Sequence, residues 1–136
     1  MNVVSLLKQD HRTVEKLFSD YESSRDRAIA DEICSELDTH TEIEERAVYP
    51  AIRDEMTNGK EMAEHAEEEH SKAKQIIGRI RRTEDADHLS ELVGELQQAV
   101  QHHVDEEESD LFPKMEQELG GSRLEEIGQE AEALKT

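Results

Sequence analysis

Six residues carry the chemistry to look for first in this chain: His11, His40, Glu44, His70, His103 and Glu107. Two of these histidines stand four residues before a glutamate, in HTEIE at 40–44 and HVDEE at 103–107. Both segments run on to an aromatic-proline pair, Tyr49-Pro50 and Phe112-Pro113. Residues four apart on a helix are neighbours on one face, so each pair points an imidazole and a carboxylate the same way. His11 and His70 open two further related segments, QDHRTVEKLF and EEHSKAKQII. His70 follows His11 by 59 residues and His103 follows His40 by 63. The chain therefore reads as one helical hairpin written twice.

Helices must position these residues. The sequence is rich in Glu, Ala, Leu, Gln, Arg and Lys, which favour helix, and it has only six Gly and two Pro. Apolar positions at helical period trace four long segments, at about 3–23, 26–56, 61–82 and 86–118. Their inward stripes are Leu7, His11, Val14, Phe18 and Tyr21; Ile33, Leu37, His40, Glu44 and Val48; Met62, Ala66, His70, Ala73, Ile77 and Ile80; and Leu89, Leu92, Leu96, Val100, His103, Glu107 and Leu111. Short connections favour an all-α, up-down-up-down antiparallel four-helix bundle over residues 1–118. Residues 119–136 form a short, weaker helical tail, with Ser122 as N-cap and Glu125 completing a capping box. Gly59 is read as a helix stop. Pro50 and Pro113 fall inside their segments, each six residues past its glutamate, and predict a matched kink or break.

Each stripe thus carries a histidine where an apolar residue should sit. A single such histidine is more often a hydrogen-bonded core residue than a ligand. Four at symmetric positions, two with Glu at i+4, change that balance. Burying two carboxylates without compensation costs several kcal/mol each. Two metal ions held by four imidazoles and bridged by both carboxylates resolve the cost, and this donor set suits iron, manganese or zinc. His65 and His88 read as surface. His102 competes with His103 for the inward position, and the stripe and repeat favour His103. Glu42, Glu45, Glu106 and Glu108 lie off the stripe and read as mostly solvated, with Glu45 and Glu108 the ones nearest the site. Tyr49, replaced by Phe112 in the second copy, is either a core aromatic with its hydroxyl at a rim or a ligand that makes the two metals unequal. Cys34 reads as a small buried hydrophobe.

The 16 basic and 35 acidic residues give a formal charge of −19. Such a surface repels nucleic-acid phosphates and anionic membranes. One cysteine excludes an intrachain disulfide. MNVVSLLKQDH becomes charged too soon for a signal peptide, and no apolar run approaches a membrane span. The expectation is a cytoplasmic protein, with no membrane or nucleic-acid partner and an oligomeric state left open, a monomer included.

Ferritin-like di-iron bundles use Glu-x-x-His on two helices; here that spacing occurs once among the candidates, from Glu67 to His70. The pattern His11, His40-x3-Glu44, His70, His103-x3-Glu107 instead resembles the hemerythrin-like, or HHE cation-binding, family, over residues 3–118. The resemblance implies a four-helix bundle around a non-haem di-iron centre bridged by oxygen (oxo or hydroxo) and two carboxylates. His11 and His40 would lie toward one iron, His70 and His103 toward the other, with Glu44 and Glu107 bridging. Oxygen-carrying members add a second histidine one turn from the third-helix ligand, where this chain has Ala66 and Lys74. Their last helix also places Asp five residues after His, where this chain has Glu at four. Fewer imidazoles leave an open position, which favours reaction with O2, H2O2 or NO over simple carriage. Catalase-like peroxide chemistry is the leading expectation; reversible binding, sensing and iron buffering are its rivals, beside a metal-free interaction module.

Overall fold

The computed structural model describes residues 1–135, and among these it contains helices and no strand. Seven α-helices follow in order: α1 (Val3–Ser24), α2 (Arg27–Ile43), α3 (Tyr49–Glu55), α4 (Gly59–Arg82), α5 (Ala86–Glu106), α6 (Phe112–Leu119) and α7 (Gly121–Lys135). Helix starts follow the chemistry of the backbone. Side chains of Asn2, Asp26 and Asp85 accept hydrogen bonds from the first free N–H groups of α1, α2 and α5, the role that short polar caps serve. Helix α1 packs on α2 and α4 on α5, while α2 touches α4 and α1 touches α5.

The predicted interruptions occur, and their form is specific. One π turn (Glu44–Val48) joins α2 to α3, and another (Glu107–Leu111) joins α5 to α6. The Tyr49 N–H donates to the Glu44 carbonyl and the Phe112 N–H to the Glu107 carbonyl, each five residues back. A proline ring clashes with the carbonyl four residues before it in a regular helix. The widened turn just ahead of Pro50 and Pro113 relieves that clash. It also re-aims side chains. Five residues along a straight α-helix is a rotation of about 140° from the starting face, but across a π turn the fifth residue lies one turn on. Tyr49 and Phe112 therefore stack below Glu44 and Glu107, on the same inner face.

The apolar core is divided in two. One cluster gathers Leu7, Ile43, Ile52, Phe112, Met115 and Ile127; the other gathers Phe18, Ile33, Leu37, Ile77, Leu92 and Leu96. The polar stripe residues form a layer between them.

Two local expectations are corrected. Gly59 does not stop a helix. Asn58 takes the left-handed conformation (φ 58°), and Gly59 begins α4, where a Cβ would stand 1.8 Å from the Ile52 carbonyl oxygen. Ser122 is not an N-cap. Helix α7 has already begun at Gly121, and its first carbonyl acceptor is Gly120, from the Leu124 N–H at 3.1 Å. Helix α7 buries Leu124, Ile127, Gly128 and Ala131 against α1 and the chain start. No helix among the described residues is long and apolar enough to cross a membrane.

Candidate metal centre

Helices α1, α2, α4 and α5 each direct one histidine into the polar layer, and the two π turns each begin with its glutamate. All six predicted side chains meet there. The imidazoles form two pairs, with ring centroids 5.1 Å apart for His11 and His40 and 4.9 Å apart for His70 and His103. The two carboxylates join the pairs. Glu44 Oε1 lies 3.2 Å from His40 Nε2, 3.0 Å from His70 Nε2 and 3.5 Å from His103 Nε2. Glu107 places Oε1 3.0 Å from His11 Nε2 and Oε2 3.2 Å from His103 Nε2. His11, His40 and Glu107 form one group with ligand atoms close enough to share an ion; Glu44, His70 and His103 form another.

Every one of these imidazoles turns its other nitrogen to an outer carboxylate. His11 Nδ1 is 2.7 Å from Glu108, His40 Nδ1 3.2 Å from Asp10, His70 Nδ1 2.9 Å from Glu45 and His103 Nδ1 2.7 Å from Glu69. This fixes the tautomer, leaving Nε2 free to donate its lone pair inward, as metal-binding histidines require. Sequence reading placed Glu45 and Glu108 near the site and did not assign Asp10 or Glu69. The signal was present, since each outer acid adjoins a stripe residue: Asp10 before His11, Glu69 before His70, Glu45 after Glu44 and Glu108 after Glu107.

Three outer acids are held in turn by a cation. Lys135 reaches Asp10 at 2.6 Å, Lys74 reaches Glu45 at 2.8 Å and Arg12 reaches Glu108 at 2.6 Å. Burial opposes ionisation of Asp10, Glu45 and Glu108, but hydrogen bonds from imidazole and cation hold all three below the ordinary carboxylate range.

The inner layer is electrostatically unsettled as it stands. Burial pushes the His40 pKa down, but the Glu44 carboxylate and the Asp10 hydrogen bond outweigh it and raise the value to about 10. His103 is likewise raised well above its ordinary value, against burial, by Glu107. Burial would raise Glu44, yet His40 and its other neighbours hold it well below the carboxylate range. Even so, His40 Nε2, Glu44 Oε2 and Glu107 Oε2 are buried without a hydrogen-bond partner. Unpaired polar atoms in a protein interior are rare and call for an explanation. Four imidazoles and two carboxylates, with inward lone pairs and orphaned oxygens, suit a first-row transition metal, and each of the two groups they form could hold an ion.

Tyr49 is fully buried, with its hydroxyl 2.9 Å from His70 Nε2; burial, then the nearby Glu44 and Glu107 carboxylates, raise its pKa well above that of a free phenol. Phe112 stacks on His11 at 5.8 Å with a 9° tilt. His102 faces outward and His103 inward. Cys34 is buried in the apolar cluster, away from the polar layer. Beside the imidazoles lies a cavity of about 30 Å³, lined also by Val14, Leu37, Val100 and Val104. A surface cleft of about 220 Å³ between α4 and α5 leads down to His103 and Glu107.

The chain is 28% identical, over its whole length, to a protein of Nostoc sp. named DNA nickase, of which it spans 40%. It is 29% identical over 82% of its length to an uncharacterized hemerythrin-like protein of Schizosaccharomyces pombe, spanning 58% of that protein. It thus covers less than two thirds of either relative. No solved structure matches it significantly. The hemerythrin HHE cation binding domain matches residues 2–115 and again 67–135, the second match starting just ahead of His70, where the internal repeat begins its second copy. With the family match spanning the stripe residues and the repeat, the chain belongs to the hemerythrin HHE cation-binding family.

Proposed function

We propose that the protein holds two iron ions, one between His11 and His40 and one between His70 and His103, bridged by Glu44 and Glu107. The observation that carries this reading is the contact of each glutamate with imidazoles of both pairs. Iron there would supply a Lewis-acidic, redox-active pair inside a water-poor interior. The chain's own residues do the rest. Asp10, Glu45, Glu69 and Glu108 orient the imidazoles, the two apolar clusters keep bulk water out, and Tyr49 offers a hydroxyl on the His70 side only. The antiparallel four-helix bundle of residues 1–118, with 119–136 appended, is the fold proposed to hold these positions.

The reactant is a small oxidant, with hydrogen peroxide in a catalase-like turnover foremost. A cavity of about 30 Å³ is about twice the space that one water needs, which suits two heavy atoms and little more. The same size argument supports a second reading, reversible binding of O2 or NO without turnover, because most of the other side chains around the cavity are apolar. Iron buffering draws less support, since one pair of ions is a small store. The −19 charge supports no nucleic-acid or membrane partner, and it argues against carrying over the printed name of the Nostoc relative. A cytoplasmic location completes the proposal.

Protein purified from iron-replete cells tests it. Two irons per chain with near-ultraviolet iron bands, and peroxide consumption lost in His70→Ala, are the expected results. Two irons without peroxide consumption leave the reversible reading. Protein without stoichiometric metal, whose melting is indifferent to a chelator, sinks both.

A further inference from the structure

The fourth outer acid breaks the pattern of the other three. Asp10, Glu45 and Glu108 each meet a lysine or arginine on their outer side. Glu69 is met by imidazoles. Its Oε1 accepts from His103, and its Oε2 lies 3.2 Å from His102 Nε2 and 3.6 Å from His65 Nε2. Glu106 closes the group, with Oε2 2.9 Å from His65 and Oε1 3.0 Å from His102.

These four residues repeat the buried spacing on the surface. His65 precedes Glu69 by four on α4, and His102 precedes Glu106 by four on α5. Each helix therefore offers an imidazole and a carboxylate one turn apart, and each imidazole lies within 4.0 Å of the other helix's carboxylate. Donor atoms at about 2.1 Å around a tetrahedral ion stand roughly 3.4 Å from one another. His65, Glu69 and Glu106 each offer one ligand atom within 4.8 Å of the others; the imidazole-to-carboxylate separations, with His102 added on the second Glu106 oxygen, are 2.9, 3.0, 3.2 and 3.6 Å and bracket the tetrahedral value. His65 and His102 are 59% and 67% exposed, so the group faces solvent. His65, Glu69 and Glu106 also line the cleft that runs inward to His103 and Glu107.

We propose that His65, Glu69, His102 and Glu106 form a second, surface site for a divalent first-row transition-metal cation. It occupies the place where the other outer acids hold an ammonium or guanidinium. Through Glu69 it touches the buried centre, and it stands at the mouth of the cleft, where it takes up cations destined for that centre. This uptake role rests on the buried metal reading; the site itself does not.

Zinc titration of metal-free full-length protein tests the site, with the bound metal counted after gel filtration. The comparison is His65→Ala/His102→Ala, a surface change that leaves Glu69 on His103. The expected result is one zinc per chain fewer in the double variant. Equal zinc content in both proteins overturns the site. A failed buried centre shows differently, as too few ions in both proteins with the difference of one preserved. Ferrous loading followed in the near ultraviolet tests the role: several-fold slower loading at limiting iron in the double variant is expected, and equal rates overturn uptake through this site.

Discussion

Tyr49 and Phe112 occupy matching positions below the two inner glutamates, yet only Tyr49 carries a hydroxyl, set 2.9 Å from His70 Nε2. The two halves of the centre are therefore alike in donors and unlike in what faces them. Tyr49→Phe would remove the difference while keeping the ring. Full metal content is expected, with an altered iron spectrum and a loss of about 1 kcal/mol of metal-free stability for one buried hydrogen bond. Metal analysis, absorption and chemical denaturation of the variant check these outcomes. An unchanged spectrum would place the hydroxyl outside the reach of the centre.

Glu44 and Glu107 each touch both imidazole pairs, so in the proposed centre neither would belong to one ion alone. Glu44→Ala or Glu107→Ala is expected to lose both irons, whereas His11→Ala weakens chiefly the His11–His40 half. Iron per chain after gel filtration distinguishes them. One retained iron in Glu44→Ala would show that this carboxylate does not bridge.

In the proposed centre the outer acids orient rather than bind. Asp10→Asn and Glu108→Gln keep the shape and remove the charge. Outer partners of metal-bound histidines are typically worth 10–100-fold in affinity, and a loss of about that size is expected, with stoichiometry kept at saturating metal. Competition with a chromogenic chelator measures it.

The metal-free protein should weaken as pH rises above neutrality. His40 binds its proton with a pKa of about 10 in the folded chain against ~6.5 unfolded. Its contribution is complete below the unfolded value and is lost as pH climbs through the folded one. Glu44 works at the other end: its pKa is depressed, so its contribution is present above the ordinary carboxylate range and lost on acidification. Melting temperatures of chelator-treated protein should therefore fall from about pH 6.5 toward 10. Metal needs neutral imidazoles, so the gap between metal-loaded and metal-free melting should widen between pH 6 and 9.

Cys34 is buried, and burial raises its thiol to about 11. The thiolate is the reactive form. Native protein is expected to resist iodoacetamide at pH 7.5 and to react once denatured, as mass spectrometry would show.

The inward stripe was readable because helical period is local: Leu96, Val100, His103 and Glu107 announce one face whatever they pack against. The outer acids were less readable because their partners lie on other helices. Glu108 looks solvated on its own helix and is ordered only by His11 and Arg12, about a hundred residues away in sequence. Gly59 and Ser122 were misassigned for a related reason. A glycine after a helix suggests a stop, but the close approach of α4 to the Ile52 carbonyl is a tertiary demand that no window reveals. Ser122 with Glu125 spells a capping box, yet Gly120 (φ 82°) had already turned the chain. Helix α7 looked weak because its apolar positions are few, and it is held by where it lies.

The two π turns make this centre sensitive to residue number as well as to residue identity. Each widened turn holds one residue more than a straight helix needs to reach its proline. Closing the turn between Glu44 and Tyr49 into regular α-helix with all its residues kept would rotate everything beyond it by about 100°. Tyr49 would leave the polar layer, and a different side chain would face His70, with no substitution having been made. Frame, not only sequence, decides what faces the polar layer.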